Sequence, residues 1–156
     1  MYEANVGAGL PVISTLQNEQ SAGDRLIEFS GIMSGTLSYI FGLVEDGATL
    51  SEATAKAYEL GYTEPNPADD LEGTDVARKL LILARECGMR LELSDVKVEC
   101  AVDKKYLQGS DADEVLEGLK RADREFSEKV QKAKAQGKVL RYIASIKNGV
   151  CRCGVT

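Results

Sequence analysis

The sequence predicts an α+β domain, with a mixed β-sheet and helices packed mainly on one of its faces. Three observations carry this. Leu37, Ile40, Phe41 and Val44 recur at the 3.6-residue helical spacing, and Val76, Leu80, Leu83 and Ala84 do so again further on. Residues 138–146 and 149–156 are strand-like runs around Lys147-Asn148-Gly149, the residue chemistry of a tight hairpin. After an opening helix the segments read β, α, α, α, β, α, β, β, an order that gathers helices beside a sheet. The 156 residues suffice for one domain with its own core.

Pro11 suits the first turn of a helix over 11–23, because a first-turn N–H has no intrahelical acceptor to lose. Val12, Ile13 and Leu16 form its apolar stripe and Gly23 ends it. Residues 24–33 read as a strand with Leu26, Phe29 and Ile32 apolar. A helix begins near Ser34–Thr36 and closes at Gly47; another opens at Leu50–Ser51, with Ser51 as its N-cap, and stops at Gly61. The stretch 61–73 holds two of the three prolines among Glu64, Asp69, Asp70 and Glu72, and reads as a rigid, carboxylate-rich loop. It feeds the strongest helix, about Gly73 to Glu86, closed by Gly88, with Cys87 on the apolar stripe. Residues 93–102 form a strand, and 111–135 a long amphipathic helix or helix pair. The sequence ends within a strand-like run; an unpaired edge is an unusual place to stop, so a longer protein is expected.

Composition excludes several function classes. Nineteen basic against twenty-five acidic side chains give a net charge of −6, which argues against a broad nucleic-acid or anionic-membrane surface. No apolar run approaches the ~20 residues of a membrane-spanning helix, and the first residues lack the basic region of an export signal. Histidine is absent, which removes Ser-His-Asp triads, Cys-His dyads and His-ligated zinc. Cys87, Cys100, Cys151 and Cys153 form no C-x-x-C pair; Cys151 and Cys153 are placed on opposite strand faces, and all four are expected as reduced thiols of a cytoplasmic protein. Proton transfer falls to carboxylates, lysines, tyrosines or water.

The chemistry concentrates between Tyr62 and Lys79. Asp75 and Lys79 are four apart and share one side of a helix. Such a pair is either a surface ion pair worth about 0.3–0.5 kcal/mol or a lysine held by a carboxylate for work on a substrate oxygen. Glu64 and Asp70 suit the ammonium of an amino-acid ligand; alternatively Glu64 is a solvated loop residue and Asp70 a cap. Val6-Gly7-Ala8-Gly9 is not G-x-G-x-x-G and is rejected as a nucleotide loop. Its closely spaced glycines can instead turn carbonyls toward a hard monovalent cation. Ser34-Gly35-Thr36 is either an ordinary cap or a carboxylate site.

Residues 3–13 (EANVGAGLPVI), 29–42 (FSGIMSGTLSYIFG) and 61–86 (GYTEPNPADDLEGTDVARKLLILARE), and more weakly 139–144 (VLRYIA), together resemble the catalytic domain of homoserine dehydrogenase. EANVGAGLP and LLILARE look most like the bacterial bifunctional aspartokinase–homoserine dehydrogenases. The resemblance implies NAD(P)-dependent interconversion of L-homoserine and L-aspartate 4-semialdehyde, on the way to threonine, methionine and isoleucine. By the same resemblance Lys79 is the catalytic lysine and Asp75 its acidic partner. Glu64 and Asp70 are substrate-binding carboxylates, and Thr36 and Tyr62 are polar positions near the substrate. Glu3, Val6, Ala8 and Leu10 align with a site for a monovalent cation such as Na+. Also implied are a homo-oligomer, a dimer, acting on a small molecule without nucleic acid or membrane. Residues 1–156 are then a fragment, with the family's NAD(P)-binding domain and closing segments outside it, and inactive alone. Two other readings are a non-catalytic oligomerisation module and a threonine-binding sensor.

Overall fold

The computed structural model describes residues 6–156. Six α-helices and four strands follow one another there as α1 (Val12–Ser21), β1 (Glu28–Gly31), α2 (Gly35–Glu45), α3 (Leu50–Glu59), α4 (Pro67–Glu72), α5 (Thr74–Glu86), β2 (Lys97–Val98), α6 (Ala112–Ala135), β3 (Tyr142–Lys147) and β4 (Val150–Val155). The strands form one mixed sheet in the order β1-β3-β4-β2. β3 pairs antiparallel with β1 and β4, while β2 joins β4 in parallel. The hairpin is a two-residue turn, with Lys147 opposite Val150 and positive φ at both Asn148 and Gly149, as a type I′ turn requires.

One sheet face is apolar: Tyr142, Ala144, Ile146, Cys151 and Cys153 are all buried on it. α5 lies against β3 and β4 there, and α2 against β3. The opposite face carries the ion pairs Lys147–Glu28 at 3.3 Å and Arg152–Glu99 at 2.9 Å. The expected architecture, helices on one side of a mixed sheet, is therefore present. Leu37, Ile40, Phe41 and Val44 of α2 are all buried, as are Val76, Leu80, Leu83 and Ala84 of α5. Phe41 meets Phe126 of α6 edge-on, with ring centroids 5.9 Å apart.

Several expectations are corrected. Thr49, not Ser51, caps α3: its hydroxyl accepts the Glu52 amide while the Glu52 carboxylate accepts the Thr49 amide, a capping box. Ser51 is buried in the first turn, where Asp123 of α6 accepts both its amide and its hydroxyl at 2.9 and 2.5 Å. Residues 61–73 are not loop throughout, because Pro67 sits at the first position of α4, where its missing N–H leaves no acceptor unpaired, and Asn66 caps the turn. The first strand is only four residues, and Ile32 lies beyond it, 46% exposed. The strand expected over 93–102 shrinks to Lys97–Val98, preceded by a 3-10 turn. Of the two readings of residues 111–135, the single long helix is the one present, capped by Asp111. Cys151 and Cys153 share a face, since residues two apart on a strand point the same way. The final strand is not an edge but an interior strand flanked by β3 and β2.

Candidate active site

Asn66 and Pro67 start α4, and this places Asp69 and Asp70 in its first turn. Asp70 Oδ2 accepts the Glu64 amide at 2.8 Å, which folds the Glu64 segment back over the helix start. The Thr36 hydroxyl, in the first turn of α2, donates to the Tyr62 carbonyl at 2.6 Å. The Tyr62 ring stands edge-on to Tyr39, with centroids 5.1 Å apart. Thr36, Tyr62, Glu64 and Asp70 are thus brought together by side-chain-to-main-chain hydrogen bonds between α2, the proline-rich segment and α4.

Gly73, with φ +74, turns the chain from α4 into α5. One turn into α5 the Lys79 ammonium lies 2.6 Å from Asp75 Oδ2, and it donates to the Met33 carbonyl at 3.3 Å. The Lys79 side chain is 22% exposed against 59% for Asp75. Its apolar stem is covered and its charged end is held by α5 and the residue preceding the α2 cap. The pair is therefore more enclosed than a freely solvated surface ion pair.

Glu64, Asp69, Asp70, Glu72 and Asp75 line one open groove of ≈ 510 Å³ together with Thr74 and Arg78. Lys79 is joined to it through Asp75 rather than forming its wall. Burial pushes the Asp70 carboxyl above the usual carboxylate range. The Glu64 amide and the Thr36 hydroxyl oppose that shift, and the charges of Glu64 and Asp69 reinforce it. Five acidic side chains around one depression give it a negative potential that favours a cationic group. Thr74 and Arg78 are the groove residues that sequence reading missed, although the position of Arg78 three after Asp75 put it near the same helix face. The Met33 carbonyl that holds Lys79 was missed as well, and a main-chain oxygen has no signal in residue identities.

Of the residues aligned with a cation site, Glu3 lies outside the described residues. Gly7 and Ala8 have successive positive φ values of 83° and 51°, so the main chain reverses there rather than at Gly9. A Cβ at Gly7 would come within 2.6 Å of Val12 Cγ2, so glycine is required. The Gly7 carbonyl accepts the Leu10 amide at 2.9 Å and the Leu10 carbonyl accepts the Val12 amide at 2.8 Å. Each carbonyl oxygen keeps a second lone pair.

The family model for homoserine dehydrogenase matches residues 11–156. The chain belongs to the homoserine dehydrogenase family. It is 57% identical over 155 residues to the bifunctional aspartokinase/homoserine dehydrogenase of Haemophilus influenzae, covering 99% of this chain and 19% of that protein. To a bifunctional chloroplastic relative in Zea mays it is 50% identical over 145 residues, 93% of this chain and 16% of that one. To the homoserine dehydrogenase of Schizosaccharomyces pombe it is 43% identical over 149 residues, 92% of this chain and 40% of that one. The chain thus spans about a fifth of the length of the bifunctional relatives. Among solved structures, that of a Candida auris protein of unknown function superposes with a TM-score of 0.92 at 35% identity, covering 99% of this chain and 45% of that one. A homoserine dehydrogenase from Thiobacillus denitrificans gives 0.75 at 25% identity, covering 100% and 32%.

Members of the homoserine dehydrogenase family use NAD(P), whereas the 156 residues here contain no G-x-G-x-x-G string. The four cysteines of this family member are free thiols. Cys87 ends α5 half-buried instead of in the core, and burial pushes the Cys153 thiol up to about 12. Among the described residues, no helix is long and apolar enough to cross a membrane.

Proposed function

We propose that this chain supplies the substrate-binding and proton-handling part of a homoserine dehydrogenase, which interconverts L-homoserine and L-aspartate 4-semialdehyde on the route to threonine, methionine and isoleucine. The observation that carries the reading is that Glu64, Asp70 and Asp75 line one groove, with Lys79 held beside it by Asp75, in a chain of this family.

Glu64 and Asp70 hold the substrate ammonium, and Thr36, through the Tyr62 carbonyl, fixes the segment that carries Glu64. The carbon-4 end then faces Lys79. NAD(P), when bound, gives or takes the hydride at carbon 4. In the reducing direction negative charge gathers on the carbon-4 oxygen; the Lys79 ammonium offsets that charge and delivers a proton to the oxygen. In the oxidising direction the step reverses: the neutral Lys79 amine left by proton donation takes the hydroxyl proton as the hydride leaves carbon 4, and becomes the ammonium again. Asp75 and the Met33 carbonyl fix where the ammonium sits throughout. The carbonyls of Val6, Ala8 and Leu10, with Glu3, are the ligands proposed for a monovalent cation such as Na+.

The reading also makes 1–156 a fragment of a longer cytoplasmic enzyme, a homodimer in which the dinucleotide is gripped mainly outside these residues. Lys79→Ala in the complete enzyme should lower kcat roughly 10²–10³-fold, the loss that follows removal of one donor to a developing oxyanion. Steady-state oxidation of homoserine measures it. Near-normal kcat would remove Lys79 from the mechanism.

A further inference from the structure

The elbow between α4 and α5 is built against the sheet. Gly73 adopts a left-handed conformation there, and a Cβ on it would overlap the Tyr142 hydroxyl and stand 2.6 Å from Tyr142 Cζ. Glycine is thus needed twice, for its φ and for the space the tyrosine occupies. Tyr142 belongs to β3 and is 3% exposed. Its hydroxyl donates to the Glu99 carbonyl at 2.8 Å, and the Glu99 amide in turn donates to the Cys153 carbonyl of β4 at 2.9 Å. Two residues on, the Ala101 amide donates to the Leu71 carbonyl of α4 at 2.8 Å. The segment 99–101 therefore clasps the tyrosine tip, the sheet and α4 at once.

The two halves of the groove lie on either side of this elbow. Asp70 precedes it by three residues on α4, and Asp75 and Lys79 follow it on α5. A change at Gly73 alters the angle between the helices, and with it the distance between the group that holds the ammonium and the group that serves the far oxygen. We infer that Tyr142 is a positioning residue: by filling the space under Gly73 it sets the span between Asp70 in the groove and the Lys79 ammonium held beside it by Asp75, and so the length of substrate that fits. This rests on the assignment of the groove as the homoserine site. Tyr142 itself touches no reacting atom; its ring and its bond to Glu99 act only through the elbow.

The test uses the complete enzyme that carries this chain, with Gly73→Ala, Tyr142→Leu and Tyr142→Phe. Phenylalanine keeps the ring against Gly73, and kcat and KM for homoserine should stay within about threefold of the parent. Leucine removes the ring tip and alanine at 73 drives the elbow off it. Both should lower kcat/KM for homoserine about 10²-fold, the effect of a displacement near 1 Å. KM for the dinucleotide, which the elbow does not set, should hold. Rates are expressed per folded molecule, and melting temperatures are recorded alongside. If Tyr142→Leu and Gly73→Ala merely melt earlier, with parental kcat and KM, the positioning role is wrong and the contact is structural. If Gly73→Ala does not fold, Tyr142→Leu decides by the same criterion. Lys79→Ala is run in parallel: retention of turnover there would show that the groove assignment, not the role of Tyr142, has failed.

Discussion

Half-burial beside Glu64 and Asp69 makes ionised Asp70 an unfavourable group for its own fold. A carboxyl whose pKa rises on folding contributes fully below its ordinary range, and that contribution is lost as the pH climbs through the raised value. Asp70→Asn keeps an oxygen for the Glu64 amide. It is expected to raise Tm at pH 7 by no more than about 2–4 °C, since the side chain remains partly solvated, and the gain should disappear below the carboxylate range. The same change removes one of the two charges offered to the substrate ammonium, so KM for homoserine should rise roughly 10–100-fold, the value of a charge-assisted hydrogen bond. Melts at two pH values and steady-state kinetics check both halves; a loss of Tm at neutral pH would contradict the desolvation account. At this scale the Asp75–Lys79 pair was legible because helix periodicity brings residues four apart together. The closeness of Glu64 to Asp70 was not, because a main-chain amide makes it. Arg78 was passed over because an exposed arginine on a charged helix face looks the same whether or not a groove lies beside it.

Ser51 and Asp123 join α3 to α6, and they separate two kinds of polar contact between elements. Asp123 accepts the amide and the hydroxyl of a buried residue, whereas the Thr49 cap is solvent-facing. Asp123→Ala strands two donors away from water and should lower stability by about 1–3 kcal/mol. Thr49→Ala should lower it by about 1 kcal/mol. Urea denaturation of the two variants gives the order, and a larger loss at Thr49 would overturn it. The α2 and α5 stripes were readable from apolar spacing alone. The α3 cap was misplaced by two residues because serine is by itself the better cap, and only Glu52, three after Thr49, points to the threonine. α4 was missed because prolines suggest a break, although a proline at the first helical position is no obstacle.

The helices and the sheet share one continuous core, from Leu37 and Phe41 through Leu80 and Phe126 to Tyr142 and Cys153. A polypeptide of residues 1–156 should therefore unfold in one cooperative transition. It should nonetheless give no measurable homoserine-dependent reduction of NADP, because the groove proposed for the amino acid comes without a dinucleotide fingerprint. Calorimetry and absorbance at the nicotinamide band test the two parts separately, and a robust rate would overturn the second. Fold class and the hairpin were legible at this scale, since Asn148-Gly149 specifies its turn locally. Strand order was not: β2 is two residues long, and its parallel seat beside β4 depends on where α6 carries the chain, which no local pattern encodes.

The placement of β4 has a kinetic side. It is last in chain order but interior in the sheet, and β1 finds its partner only when Lys147 meets Glu28. As the chain leaves the ribosome the helices can form early, yet until the β3–β4 hairpin emerges β1 and β2 have no sheet to join. The apolar flank of α5 meanwhile waits for the strands that will cover it. Assembly of the sheet thus waits until residues 142–155 have been made, and the nascent chain before that moment is a natural client for a chaperone.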